Sequence, residues 1–178
     1  MPKAGIVTVA GKPNVGKSTL LATEIEADGR AVSDNLCVGD GEAVWGVVEP
    51  MRLEGAGGRR MPHGRRETQL PGRVGALEPD CVVVLQRHGH ISTRAQRCDA
   101  GTAARALICN TYMAGELRRY WGFAAALSAG SGLGPAHPPI VEVSETFAQR
   151  LPCFEVVLSN RDGVRLGELL GSKEATWI

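Results

Sequence analysis

Two glycines, a lysine and a serine stand at a spacing suited to gripping phosphate. The stretch Gly11-Lys12-Pro13-Asn14-Val15-Gly16-Lys17-Ser18 satisfies the pattern G-x-x-x-x-G-K-[ST]. Glycines let such a loop curl so that successive backbone N–H groups point inward at phosphate oxygens. A helix starting at the end of the loop adds its partial positive charge. Lys17 then reaches the β- and γ-phosphates, and the Ser18 hydroxyl completes a magnesium shell. The chemistry so implied is binding of a nucleoside triphosphate with Mg2+. Gly11, Asn14, Val15, Gly16, Lys17, Ser18 and Thr19 contribute to it, with Ser18 as the metal ligand.

A phosphate loop works only between a strand and a helix, and the flanking residues predict both. "AGIVTVA" (Ala4 to Ala10) reads as a short buried strand and "STLLATEIEA" (Ser18 to Ala27) as a helix. Downstream, "EAVWGVVEP" (Glu42 to Pro50) predicts a strand closed by its proline. "DCVVVLQ" (Asp80 to Gln86) is the clearest buried strand, and "IVEVS" (Ile140 to Ser144) and "FEVVLS" (Phe154 to Ser159) read as two more. Thr102 to Gly130 reads as helix with a break at Gly115, and "VRLGELLGSK" as a short terminal helix. Gly130 to Pro139 is a loop by composition. So is Met51 to Arg73, which holds six arginines and little apolar content. That arginine segment is either a solvated insertion or a surface for RNA phosphates, and no aromatic residue is interleaved for base stacking. Together these elements predict an α/β fold: a single three-layer P-loop NTPase-like domain over residues 1–178 with a mostly parallel sheet.

The bulk numbers are compatible with this and exclude little else. A chain of 178 residues buries a sizeable core. Its 23 glycines and 4% aromatic content predict many turns around a core of Val, Leu, Ile and Ala. With 20 basic against 19 acidic residues, bulk charge predicts no nucleic-acid partner, so any such contact must come from a local patch. The five cysteines are scattered without a Cys-x-x-Cys pair, which speaks for reduced thiols in a cytoplasmic protein. His88 and His90 supply two candidate ligands, too few for a metal site. No apolar run reaches the roughly 20 residues of a membrane span, and oligomeric state is not legible.

"KAGIVTVAGKPNVGKSTLL" resembles the start of the Era-type P-loop GTPases of the TrmE-Era-EngA-like group. The similarity runs through "AVSD" (Ala31 to Asp34) and covers about residues 3 to 34. "PDCVVV" further resembles the strand that follows switch II in that family. The resemblance implies GTP and GDP with Mg2+ as ligands, and ribosomal RNA or the small ribosomal subunit as partner. It also implies a guanine-reading N-K-x-D motif after a strand. The nearest match is Asn160-Arg161-Asp162, one residue short, with Asp162 as the guanine acceptor; the same letters are ordinary turn chemistry.

Beyond residue 34 the chain departs from the family pattern. Asn35 to Gly41 lies where switch I carries its magnesium-binding threonine, yet has none, and Asp40 is the nearest substitute oxygen. "QLPG" (Gln69 to Gly72) stands for D-x-x-G with an amide in place of the carboxylate. The "GAGG" of the arginine segment lacks the flanking helices of a KH loop, and the family's C-terminal KH domain has no counterpart in these residues. No catalytic residue is identified. Three readings stay open: a GTP-binding protein with weak or no hydrolysis, a non-hydrolysing module left by truncation or by frameshift in GC-rich coding sequence, and a P-loop small-molecule kinase.

Overall fold

The computed structural model describes residues 7–11, 16–34, 36–46, 50–53, 57–62, 64–89, 92–113, 115–132, 139–159 and 164–171. In chain order these form β1 (Val7–Gly11), α1 (Lys17–Glu26), β2 (Cys37–Gly39), β3 (Val44–Gly46), β4 (Met51–Leu53), β5 (Arg59–Arg60) and β6 (Arg66–Thr68). There follow β7 (Ala76–Leu77), β8 (Cys81–Arg87), β9 (Arg94–Arg97), α2 (Ala100–Met113), α3 (Gly115–Ser131), α4 (Ile140–Arg150), β10 (Cys153–Leu158) and α5 (Leu166–Gly171).

Strands β1, β8, β10 and β9 make one mixed sheet in that order. β8 pairs in parallel with β1 and with β10, whereas β9 runs antiparallel to β10. The sequence explains why β8 takes the middle. Cys81 to Leu85 is apolar without interruption and every one of these residues is buried, as a parallel strand covered on both faces requires. Alternation along it divides the core. Cys81, Val83 and Leu85 join Phe154, Val156 and Leu158 of β10, Leu20 of α1 and Leu166 of α5. Val82 and Val84 pack instead with Ala103 and Ala104 of α2 and Phe147 and Ala148 of α4. The outer strand β9 reads Arg-Ala-Gln-Arg, a polar edge that resists further strand addition. Its Arg97 guanidinium sits 5.8 Å from the centre of the Phe154 ring, and Gln96 donates to Glu155 at 2.8 Å.

The expected single, mostly parallel P-loop NTPase-like sheet is not what forms. Two further sheets are wholly antiparallel, β2-β3-β7 and β4-β6-β5, so five of the seven strand pairings among the described residues are antiparallel. The physical reason lies between residues 35 and 77. No helix intervenes between the short runs described there, so no parallel crossover forms: β2-β3 and β5-β6 close as hairpins, and β7 and β4 join them antiparallel.

The arginine segment is likewise corrected from loop to sheet. Met51, only 1% exposed, and Leu70 pack with Ala31 and against Leu21, Ala22 and Ile25 on α1. These two apolar anchors hold β4 and β6, while Arg59, Arg60 and Arg66 stay exposed. "IVEVS" is corrected from strand to the first half of α4. Five residues alternate by chance, but Val143, Ser144, Phe147, Ala148 and Leu151 extend the pattern at the helical period. Glu142 in its first turn and Arg150 in its last suit the helix dipole. The helix expected over Thr102 to Gly130 is present, as α2 up to Met113 and α3 from Gly115, and residue 114 between them lies outside the described residues. No helix among the described residues is long and apolar enough to cross a membrane.

Candidate functional site

β1 ends at Gly11 and α1 begins at Lys17, so the phosphate-loop motif lies between a strand and a helix. Asn14 and Val15 fall outside the described residues. Gly16 caps α1 with φ of 93°, a left-handed backbone that a side chain rarely tolerates. It brings no side-chain cap of its own, and its carbonyl accepts the first helical bond, from the Leu20 N–H at 2.9 Å. Lys17 and Ser18 are half-buried, Thr19 points to solvent, and Leu20 anchors the turn in the core. The helix is thus fixed by Leu20 while its first polar residues stay at the loop.

Parallel pairing of β1, β8 and β10 brings their carboxyl ends to one side of the sheet, where open α/β sheets take their ligands. β8 runs past the level of Gly11, which is in register with Leu85, and ends at Arg87 opposite Leu158. A Cβ built on Gly16 would lie 3.0 Å from Arg87 Nη2 and 3.7 Å from Leu158 Cδ1. Glycine here admits a guanidinium against the helix cap. Burial pulls the Lys17 ammonium below its ordinary pKa, and the negative charge of Asp34 acts in the opposite sense. The Oδ1 of Asp34 is buried and accepts no hydrogen bond among the described residues. Lys17, Arg87, Asp34 and the α1 cap therefore form a polar cluster at the sheet's carboxyl edge.

Other sequence candidates are placed elsewhere. Asp40 has its carboxylate committed to its own turn, accepting the N–H groups of Glu42 and Ala43 at 2.9 Å each. Hydrogen bonds from Ala43 and then Glu42 hold that carboxyl below the usual range. The turn is tied in addition to α4, whose Arg150 donates to the carbonyls of Gly41 and Glu42 at 3.1 and 2.8 Å. Gln69 is exposed beside the buried Leu70. Asn160 and Asp162 lie outside the described residues, just past β10; the strand expected before them is present, and the Ser159 N–H donates to Thr93 Oγ1 at 3.0 Å. His88 is exposed, and His90 lies outside the described residues.

Burial pushes the Cys81 and Cys98 thiols up to about 11 and raises Cys153 too, so none of the three is a nucleophile near neutral pH. Among the described residues no three His, Cys, Asp or Glu side chains gather as a metal site. Arg87 was not foreseen from sequence, although an arginine closing the carboxyl end of a buried strand was a usable signal. Comparison with protein-family models, curated proteins and solved structures gives no match.

Proposed function

We propose that this chain is a cytoplasmic GTP- and GDP-binding protein, related to the Era-type GTPases, with weak or no hydrolysis. The observation that carries the reading is the left-handed Gly16 leading into the half-buried Lys17 at the start of α1, the arrangement in which backbone donors and an ammonium meet phosphate. The donor set fits Mg2+ as well: the Ser18 hydroxyl is a hard oxygen of the kind it prefers, and so is the carboxylate of Asp34, whose charge acts on Lys17. Bound there, the ion would neutralise phosphate charge. Guanine selectivity would fall to Asn160 and Asp162.

A fluorescent guanine nucleotide, competed with ATP and ITP and titrated with and without Mg2+, tests the reading. Lys17→Ala is expected to weaken binding about tenfold or more, because charge-assisted hydrogen bonds are worth about 1.5–3 kcal/mol. Ser18→Ala should abolish most of the magnesium dependence while sparing part of the affinity. Equal affinity in the Lys17→Ala variant would refute the site, and preference for ATP would favour the small-molecule kinase.

One observation favours RNA as a second ligand. Arg60 of β5 stands directly opposite Arg66 of β6, both exposed, whereas on the other face Glu67 lies between Arg52 and Arg59 and pairs with Arg52 at 3.6 Å. Like charges directly opposite are destabilising, and a phosphate backbone offsets them. Arg60→Glu should therefore weaken binding of structured RNA several-fold or more in an anisotropy titration while leaving thermal stability equal or higher. A matching loss of stability, or unchanged RNA affinity, would exclude this role.

A further inference from the structure

Two cations belong to the surroundings of the α1 cap: Lys17 is the first residue of the helix, and the Arg87 guanidinium, from the end of β8, lies against Gly16. Only Lys17 belongs to the phosphate-loop pattern. We infer that Arg87 is a second phosphate-binding residue of this pocket, closing on the polyphosphate from the sheet side and selecting di- and triphosphates over monophosphates. The inference rests on the nucleotide-binding reading above.

Three features place Arg87 for this work. Its guanidinium already lies against Gly16, so a phosphate held by the first turn of α1 is within reach of it. The strand that carries it is buried from Cys81 to Leu85, with Val82 and Val83 fully buried, so its backbone is a rigid mount. The side chain itself is exposed at the strand's end, where solvent gives access to a ligand. A planar fork with several donors spans two phosphate oxygens, which an ammonium cannot do. A second cation also adds most when the ligand carries more charge, which is why the discrimination should follow phosphate number.

The test compares wild type with Arg87→Gln, Arg87→Lys and Lys17→Ala, titrated with GTP, GDP and GMP and with inorganic triphosphate as competitor. Arg87→Gln should lose about tenfold in affinity for GTP, GDP and triphosphate, the loss of one charge-assisted contact, and the ratio of GTP to GMP affinity should shrink by a similar factor. Arg87→Lys should recover part of that ratio because it restores charge without the fork. Circular dichroism melting of the two Arg87 variants should match wild type, since that side chain is exposed. Undiminished triphosphate affinity in Arg87→Gln, alongside a loss in Lys17→Ala, would overturn the role of Arg87 and leave the nucleotide site standing. Tighter binding in Arg87→Gln would also overturn it, because the arginine would then be occupying the pocket. Absence of binding to any of these ligands by wild type would sink both.

Discussion

Phe147→Ala is expected to destabilise the protein by about 3–5 kcal/mol, the range for deleting a buried aromatic ring. Phe147 is 5% exposed and belongs to the cluster that joins α2 and α4 to the mixed sheet. Its ring also reaches the β2-β3-β7 sheet, since a Cβ on Gly39 would lie 2.7 Å from its Cε2. Removing it therefore leaves a cavity at the seam between two sheets, where neither can collapse without breaking register. For a chain of this size that corresponds to a fall in melting temperature of roughly 6–20 °C. Phe123, 70% exposed on α3, supplies the control, and Phe123→Ala should change stability by less than about 0.5 kcal/mol. Equal effects of the two substitutions would contradict the packing described for α4.

How much of this was legible beforehand depends on element length. Val7–Gly11, Lys17–Glu26, Cys81–Arg87 and Cys153–Leu158 were readable because each carries an unbroken apolar run or sits beside glycine punctuation that fixes its limit. Of the strands of two or three residues between Cys37 and Leu77, Val44–Gly46 falls inside the strand expected over Glu42 to Pro50; the others were not readable, since periodicity needs more residues than they contain. Their assembly depends on distant anchors such as Met51 and Leu70, whose shared contact with α1 no local window reveals. α4 was misread for the opposite reason: a window of five residues fitted alternation, and only the longer one holding Phe147 and Ala148 shows the helix.

At the site, the same limit applies to partners from other strands. The motif nominated Gly16 and Lys17 from their neighbours in sequence, and they stand at the cap and the first residue of α1. Arg87 and Asp34 reach the cap only through strand pairing and chain reversal, so their juxtaposition belongs to the tertiary structure. Asp40 shows the converse: it sat at a suggestive place in sequence, yet the two N–H groups of its own turn claim its carboxylate.

Turnover of GTP is expected to stay near the uncatalysed background, and GTP and GDP should bind within about tenfold of each other, or roughly 1.4 kcal/mol. Electrostatic preorganisation is usually the largest catalytic term, and deleting one such contact costs about two to three orders of magnitude in rate. The segment Cys37–Gly39, where a magnesium-binding threonine would stand, is a strand hydrogen-bonded to Val44–Gly46 and carries no hydroxyl. A segment held in a ladder is also poorly placed to close on a γ-phosphate, and without a differential contact to GTP there is nothing to shift its population. Asp40 has its Oδ1 held by the two N–H groups of its own turn, and Gln69 lies exposed beyond β6 with no negative charge. On the proposed reading the groups that remain, Lys17 and Arg87, would neutralise charge but place no water. Single- and multiple-turnover assays with radiolabelled GTP check this directly. Repeated turnover by wild type that disappears in Lys17→Ala would mean another residue orders the metal or the water, and Asp34, with its orphaned buried oxygen, is then the first to replace.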